Sequence, residues 1–228
     1  MIVFPAVAAL VSTIFAIQLL TSYVHRKRLP QLAWGIAMTM FAIASLAVAA
    51  GVSGGWDPTL YRIYWLFGAI LNVPYLALGS VALLGRKPLS AAGIVLVFVV
   101  TILAIGIVAS TSVHIPGAPK NIPRGSAAWG KGTTTAKLPT YIAIPAYVIV
   151  VLIAIGSSRG GKLPAHRIRG NWLIAIGATI VAVGGPLARY GRGAAFSIAL
   201  AVGVVVMYLG FRLASRAPRT PAPGEAPA

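Results

Sequence analysis

The chain has no cysteine and only two carboxylates, Asp57 and Glu225, in 228 residues. Without cysteine there are no disulfides, thiolate nucleophiles or cysteine-ligated metals. With two acids, chemistry that needs paired carboxylates is excluded from most of the molecule. Charged residues of either sign make up 9% of the chain, against about 25% in soluble domains. A water-facing surface cannot be built from so few charges. Disorder needs low hydrophobicity, and this chain is 58% hydrophobic. What remains is an integral membrane protein.

About 20 apolar residues at 1.5 Å rise cross a hydrocarbon core. Seven such stretches occur, at roughly 2–24, 31–52, 59–84, 90–111, 139–156, 170–188 and 194–213. The expected fold is all-α, a polytopic seven-transmembrane-helix bundle over 1–214. The proline-rich segment 215–228 reads as a disordered cytoplasmic tail. Of the 19 Lys and Arg, 12 fall on the side reached after spans 1, 3, 5 and 7, and 7 on the other. Basic loops resist translocation, so the amino terminus is expected outside and the carboxyl terminus in the cytoplasm. The expected location is the cell inner (plasma) membrane, with anionic phospholipids gathered at the basic cytoplasmic rim. No soluble module presents the charge, so nucleic acid is not an expected partner.

Seven helices invite a retinal reading, but Lys27, Lys87, Lys120, Lys131, Lys137 and Lys162 all fall in loops, where no Schiff base could reach a chromophore. Gly125–Gly132 nearly fits a phosphate-binding loop. It lacks a preceding strand, and Gly132 stands where the magnesium-binding hydroxyl belongs. The three histidines, His25, His114 and His166, sit at span ends among basic residues, not inside the bundle. No cofactor and no metal are expected.

Span 3 carries the most information. Asn72 and Pro74 lie near its centre. Pro74 removes a helical hydrogen bond and should kink the helix. Asn72 is costly toward lipid and should point inward, as a polar pivot lining a cavity or as an interhelical hydrogen bond. Asp57, just before Pro58, reads as an N-cap, and its spacing to Arg62 does not favour a mutual pair. Trp56, Tyr61, Tyr64 and Trp65 read as an outer aromatic belt, and Tyr23, Trp34 and Trp172 as an inner one. The loop 112–138 carries Lys120, Arg124, Lys131 and Lys137 and is either a docking element or a mobile connector. With Asp57 and Arg62, the residues Lys120, Arg124 and Lys131 form a candidate outer-face contact. Ala195, Ala199, Gly203 and Gly210 make a small-residue stripe along span 7, fit for close helix packing within the bundle or against another subunit. Arg28-Leu-Pro30 and Lys162-Leu-Pro164, each ahead of a Trp, hint at a three-plus-one-plus-three duplication like that of small sugar carriers.

The string Tyr61-Arg62-Ile-Tyr64-Trp65-Leu-Phe-Gly68-Ala-Ile-Leu-Asn72-Val-Pro74-Tyr75-Leu-Ala-Leu-Gly79 resembles a family of small actinobacterial seven-helix membrane proteins. Ala33-Trp34-Gly-Ile-Ala37 and Phe41-Ala-Ile-Ala-Ser45 of span 2 look similar too. The excess of Arg over Lys, 13 to 6, agrees with a high-GC lineage. The resemblance implies a topology and a lineage more than an activity. A weaker association, carried by no motif, is with accessory subunits of mycobacterial Mce-type lipid importers. The function expected from these features is a non-enzymatic accessory or scaffold subunit of a larger envelope complex, such as a lipid transporter, in contact with other membrane subunits. The alternative is a small-solute or lipid carrier or receptor whose cavity surrounds Asn72 and the Pro74 kink.

Overall fold

The computed structural model describes residues 2–115, 121–159, 165–189 and 193–214; Lys120 and the tail 215–228 lie outside the described residues. Helices α1 (Val3–Arg26), α2 (Leu29–Gly54), α3 (Pro58–Ala82) and α4 (Lys87–Ser110) follow one another through short turns. A loop holding the one-turn α5 (Gly125–Ala128) leads into α6 (Thr134–Arg159), α7 (Ala165–Arg189) and α8 (Gly193–Ala214). No strand occurs among the described residues. Six helices, all but α5 and α7, are long and apolar enough to cross a membrane. Helix α7 contains a shorter apolar stretch, Ile168–Gly184.

Six helices form a ring. Contacts run from α1 to α2, α2 to α3, α3 to α6, α6 to α7, α7 to α8, and α8 back to α1. Three ring members precede α4 and three follow it. Helix α4 stands outside, against α3, with Val95, Leu96, Phe98, Ile102 and Leu103 exposed. Such a face demands an apolar solvent, since transferring it to water forfeits about 25 cal/mol per Å².

In lipid there is no hydrophobic force between helices, so close packing must hold them. Tryptophan on glycine does this repeatedly here. A side chain at Gly79 of α3 would overlap the Trp34 ring of α2, and one at Gly51 of α2 would overlap the Trp56 ring. The seam between α7 and α8, the most extensive in the molecule, uses glycine alone. A side chain at Gly203 would meet Val181 and the Gly177 carbonyl, and one at Gly210 the Gly170 carbonyl and Leu173.

Several expectations change. The fifth apolar span starts earlier than 139, because the helix begins at Thr134 and carries Pro139 and Pro145 inside it. Pro139, the sixth residue, cannot donate to the Thr135 carbonyl, which accepts from the Trp65 indole at 3.0 Å instead. The aromatic belts are not belts. Trp56 and Tyr61 are 1% and 0% exposed, and Trp65 and Trp129 are buried beside them. The loop after α4 folds over them, with Ile122 and Ala128 in the same core. Trp34 is likewise buried, its indole N–H donating to the Leu76 carbonyl at 3.1 Å. Trp172 alone among the indoles is exposed.

Overpacking such contacts should cost about 1–3 kcal/mol or more. Gly79→Leu and Gly203→Leu are expected to lower the thermal midpoint in detergent by several degrees. Gly106→Leu, on open space of α4, should leave it unchanged. Circular dichroism melts check this, and equal effects at all three positions would refute the packing account.

Candidate functional site

The middle of α3 is unusual. From Tyr64 to Leu71 the helix is π-helical, and it returns to α-geometry at Asn72. This widened stretch, not a kink assigned to Pro74 alone, is how the helix accommodates its proline. Pro74 offers no N–H, so the turn before it is free to adopt a looser bonding pattern. The bulky sequence Tyr64-Trp65-Leu66-Phe67 gains room in the wider turn. At Gly68 a side chain would press on Ala44 of α2, so the two backbones approach there.

Asn72 is 4% exposed and donates from Nδ2 to the Ala37 carbonyl of α2 at 3.1 Å. That bond is the interhelical one anticipated for it. Its amide oxygen has no partner among the described residues. Asn72 also lines a cavity of about 340 Å³ between helices of the ring. The walls are Phe41 and Val48 of α2, Trp65 and Leu76 of α3, Val150 of α6 and Leu200 of α8. Polar groups enter from few places: Ser45, Tyr64, Asn72, Thr140 and Tyr147. Arg124 is the only charged residue on the lining, at the end covered by the loop. Pro74 is buried but does not line the cavity. A mostly apolar chamber with a few convergent polar groups is the usual form of a small-molecule site, for which about 300–1,000 Å³ is typical.

The remaining candidates are dispersed. Asp57 caps α3, its Oδ1 accepting from Thr59 N at 2.8 Å and Leu60 N at 3.0 Å. Arg62 turns to α4, donating from Nε to the Val108 carbonyl at 3.3 Å and from Nη2 to that of Thr111 at 2.9 Å. It thereby satisfies the carbonyl end of that helix and complements its dipole. Asp57 and Arg62 therefore serve different helix ends. Lys131 is exposed on the loop, between Gly130 and Gly132, which take positive φ of 90° and 80°. Gly203 and Gly210 face α7 as described, Ala199 lies against Gly184, and Ala195 is half-buried.

Over its described part the loop is packed and hydrogen-bonded rather than a loose connector. Trp65 donates to the Thr135 carbonyl at 3.0 Å, Tyr61 to that of Pro123 at 3.1 Å, and His114 N to that of Ala128 at 2.9 Å. Gly125, first of the apparent phosphate-loop glycines, is required because Trp65 lies against it. Residues 121–133 thus form a lid, anchored by Trp129 among Tyr61 and Trp65 at ring distances of 5.9 and 6.4 Å. Among the described residues no group of three or more His, Cys, Asp or Glu comes together.

Sequence reasoning did not single out Ser45, Thr140 or Tyr147. Each is a polar residue within an apolar span, a weaker form of the signal that drew attention to Asn72. Tyr147 donates to Thr179 of α7 at 2.8 Å, since the Thr179 hydroxyl proton goes to the Ala175 carbonyl. No family model, no curated protein and no solved structure matches this chain.

Removing the lid's anchor should free it. Trp129→Ala deletes a buried indole at a cost of about 3–5 kcal/mol in such sites. Limited trypsin digestion should then cut at Arg124 or Lys131 at least tenfold faster than in the unmodified protein. Unchanged cleavage would mean that the lid is held by something else.

Proposed function

We propose that the protein is a non-enzymatic carrier or receptor of the plasma membrane that binds a small, largely apolar molecule around Asn72. One observation carries this reading: the cavity of about 340 Å³ between helices of the ring, with Asn72 on its wall. Helices before and after α4 contribute in near-equal measure, α2 and α3 on one side and α6, α7 and α8 on the other. Carriers built from two helix triplets bind substrate near the membrane midplane where the triplets meet. Asn72 has a matching depth, close to the centre of α3.

In this reading α7 is the seventh span, and the lid end is extracytoplasmic. Arg26, Lys27, Arg28, Arg86, Lys87, Arg169 and Arg212, all exposed, then meet anionic headgroups at the cytoplasmic rim, each contributing about 1 kcal/mol. The scaffold reading, the first expectation from the sequence, drew on missing catalytic groups, an inert bundle, a basic outer loop and a packing stripe along α8. With Gly203 and Gly210 seated against α7, that stripe is engaged inside the bundle and no longer favours an external subunit.

The test is retention of small molecules by the purified full chain, read by mass spectrometry after gentle detergent extraction. Asn72→Leu should reduce the retained species at least tenfold. Ser45→Ala, which keeps the Asn72–Ala37 bond, should reduce it severalfold with an unaltered melting curve. If both variants retain what the unmodified protein retains, the cavity is not a binding site.

A further inference from the structure

The shape and rim of the cavity narrow what it can hold. Its lining runs from Pro139 to Val150 on α6 and from Phe196 to Met207 on α8. Eleven residues at 1.5 Å each give a slot about 17 Å long. At about 340 Å³ the chamber is at the small end of the range for small-molecule sites, too small for a diacyl lipid but long enough for one acyl chain. The walls agree, being aliphatic and aromatic for most of their length.

Exposure along the lining is uneven. On α2, α3 and α8 every lining residue is buried or half-buried. The exposed ones are Thr140 and Ile144 on α6, Ala182 on α7 and Arg124 on the lid, with Ile144 at 55%. The slot therefore opens sideways along the seam between α6 and α7, on a face that lies in the apolar phase. This seam is looser than the one between α7 and α8 and is bridged by the Tyr147–Thr179 hydrogen bond. At the lid end stands Arg124, whose guanidinium has no ion-pair or hydrogen-bond partner among the described residues. The one acid among the described residues, Asp57, caps α3 through its Oδ1 and forms no ion pair with Arg124.

Building on the cavity reading above, we propose that the ligand is a single-chain anionic lipid of the fatty-acid type. It enters from the bilayer between α6 and α7, lays its chain in the slot and sets its carboxylate against Arg124. A chain of about fourteen carbons, extended, matches the slot length of about 17 Å. Arginine suits the head because its planar fork pairs both carboxylate oxygens. Asn72 then faces the chain part-way down, where its free amide oxygen favours a chain that carries a hydroxyl at that depth.

The full chain in nanodiscs, titrated with tetradecanoic acid and with tetradecanol, tests the head. The acid is expected to bind at least tenfold tighter, and Arg124→Gln should erase that preference while leaving the alcohol's affinity within twofold. Equal binding of acid and alcohol by the unmodified protein would overturn the anionic head yet leave the cavity reading intact. Failure of both probes to bind would overturn this ligand class; should Asn72→Leu and Ser45→Ala also leave the retained species unchanged, the cavity reading falls with it. The cysteine-free chain makes the route testable too. Ile144→Cys places one thiol at the seam, and tetradecanoic acid should slow its reaction with N-ethylmaleimide at least fivefold. A thiol from Leu103→Cys, on the outer face of α4, should be unaffected. Binding without protection at Ile144→Cys would refute the lateral route.

Discussion

Tryptophan laid across glycine is the contact on which the rest of the molecule depends. Trp34 covers Gly79, Trp56 covers Gly51, and Trp65 covers Gly125. The first joins α2 to α3, two helices that lipid gives no reason to associate, since hydrocarbon solvates an apolar helix as well as another helix does. The second folds the turn after α2 back onto that helix, and the third seats the lid on α3. A large flat ring against a bare backbone maximises dispersion contact without needing polar partners. Two of the three indoles also donate to a carbonyl, Trp34 to Leu76 and Trp65 to Thr135, so the rings are fixed in orientation as well as position. From this follows the register of α2 against α3, and from that register the bond between Asn72 and Ala37.

The two halves of the ring solve the packing problem differently, and the difference makes the cavity. Helices α7 and α8 close on each other through Gly177, Gly184, Gly203 and Gly210, with little between them but backbone. Helices α2 and α3 touch closely at Gly68 and Ala44, inside the π-helical stretch itself. Opposite them, α6 carries Pro145 and touches α7 only lightly. Tight seams on both sides with a loose wall between them leave an internal space that side chains do not fill. A π-helical segment costs hydrogen-bond quality, and such segments recur at functional sites for that reason.

Much of this was legible in the residues, and the parts that were not have physical reasons. Apolar runs gave the helices, because span length is imposed by the bilayer rather than by tertiary detail. Asp57 before Pro58 was readable as a cap because capping is local. The inward orientation of Asn72 followed from the cost of a lone amide in lipid. Interface aromatics and core aromatics, by contrast, have the same composition near a helix end. Only the lid that covers Trp56, Tyr61 and Trp65 separates the two, and a lid is a long-range feature. The start of α6 was misplaced because Thr134, Thr135 and Lys137 are polar and hydropathy stops at them, whereas the helix does not. Gly125 looked like part of a phosphate loop because a glycine required by a phosphate and one required by a tryptophan are the same letter.

The scarcity of acids takes on a different meaning once the cavity is known. Among the described residues its lining holds no Asp, Glu, Lys or His, and one Arg at the rim. A carrier that couples to protons needs a titratable group that alternates between the two sides, and arginine does not titrate in the relevant range. On the proposed reading, such a site exchanges its ligand down the ligand's own gradient, or holds it as a receptor does. The same composition keeps the interior compatible with a hydrocarbon chain, because every buried carboxylate would impose a desolvation cost that an alkyl ligand cannot offset. Arg124 escapes that cost by standing at the mouth, where its charge remains hydrated until an anion arrives. The two acids the chain does possess are consistent with this division: Asp57 is spent on a helix end, and Glu225 belongs to the tail.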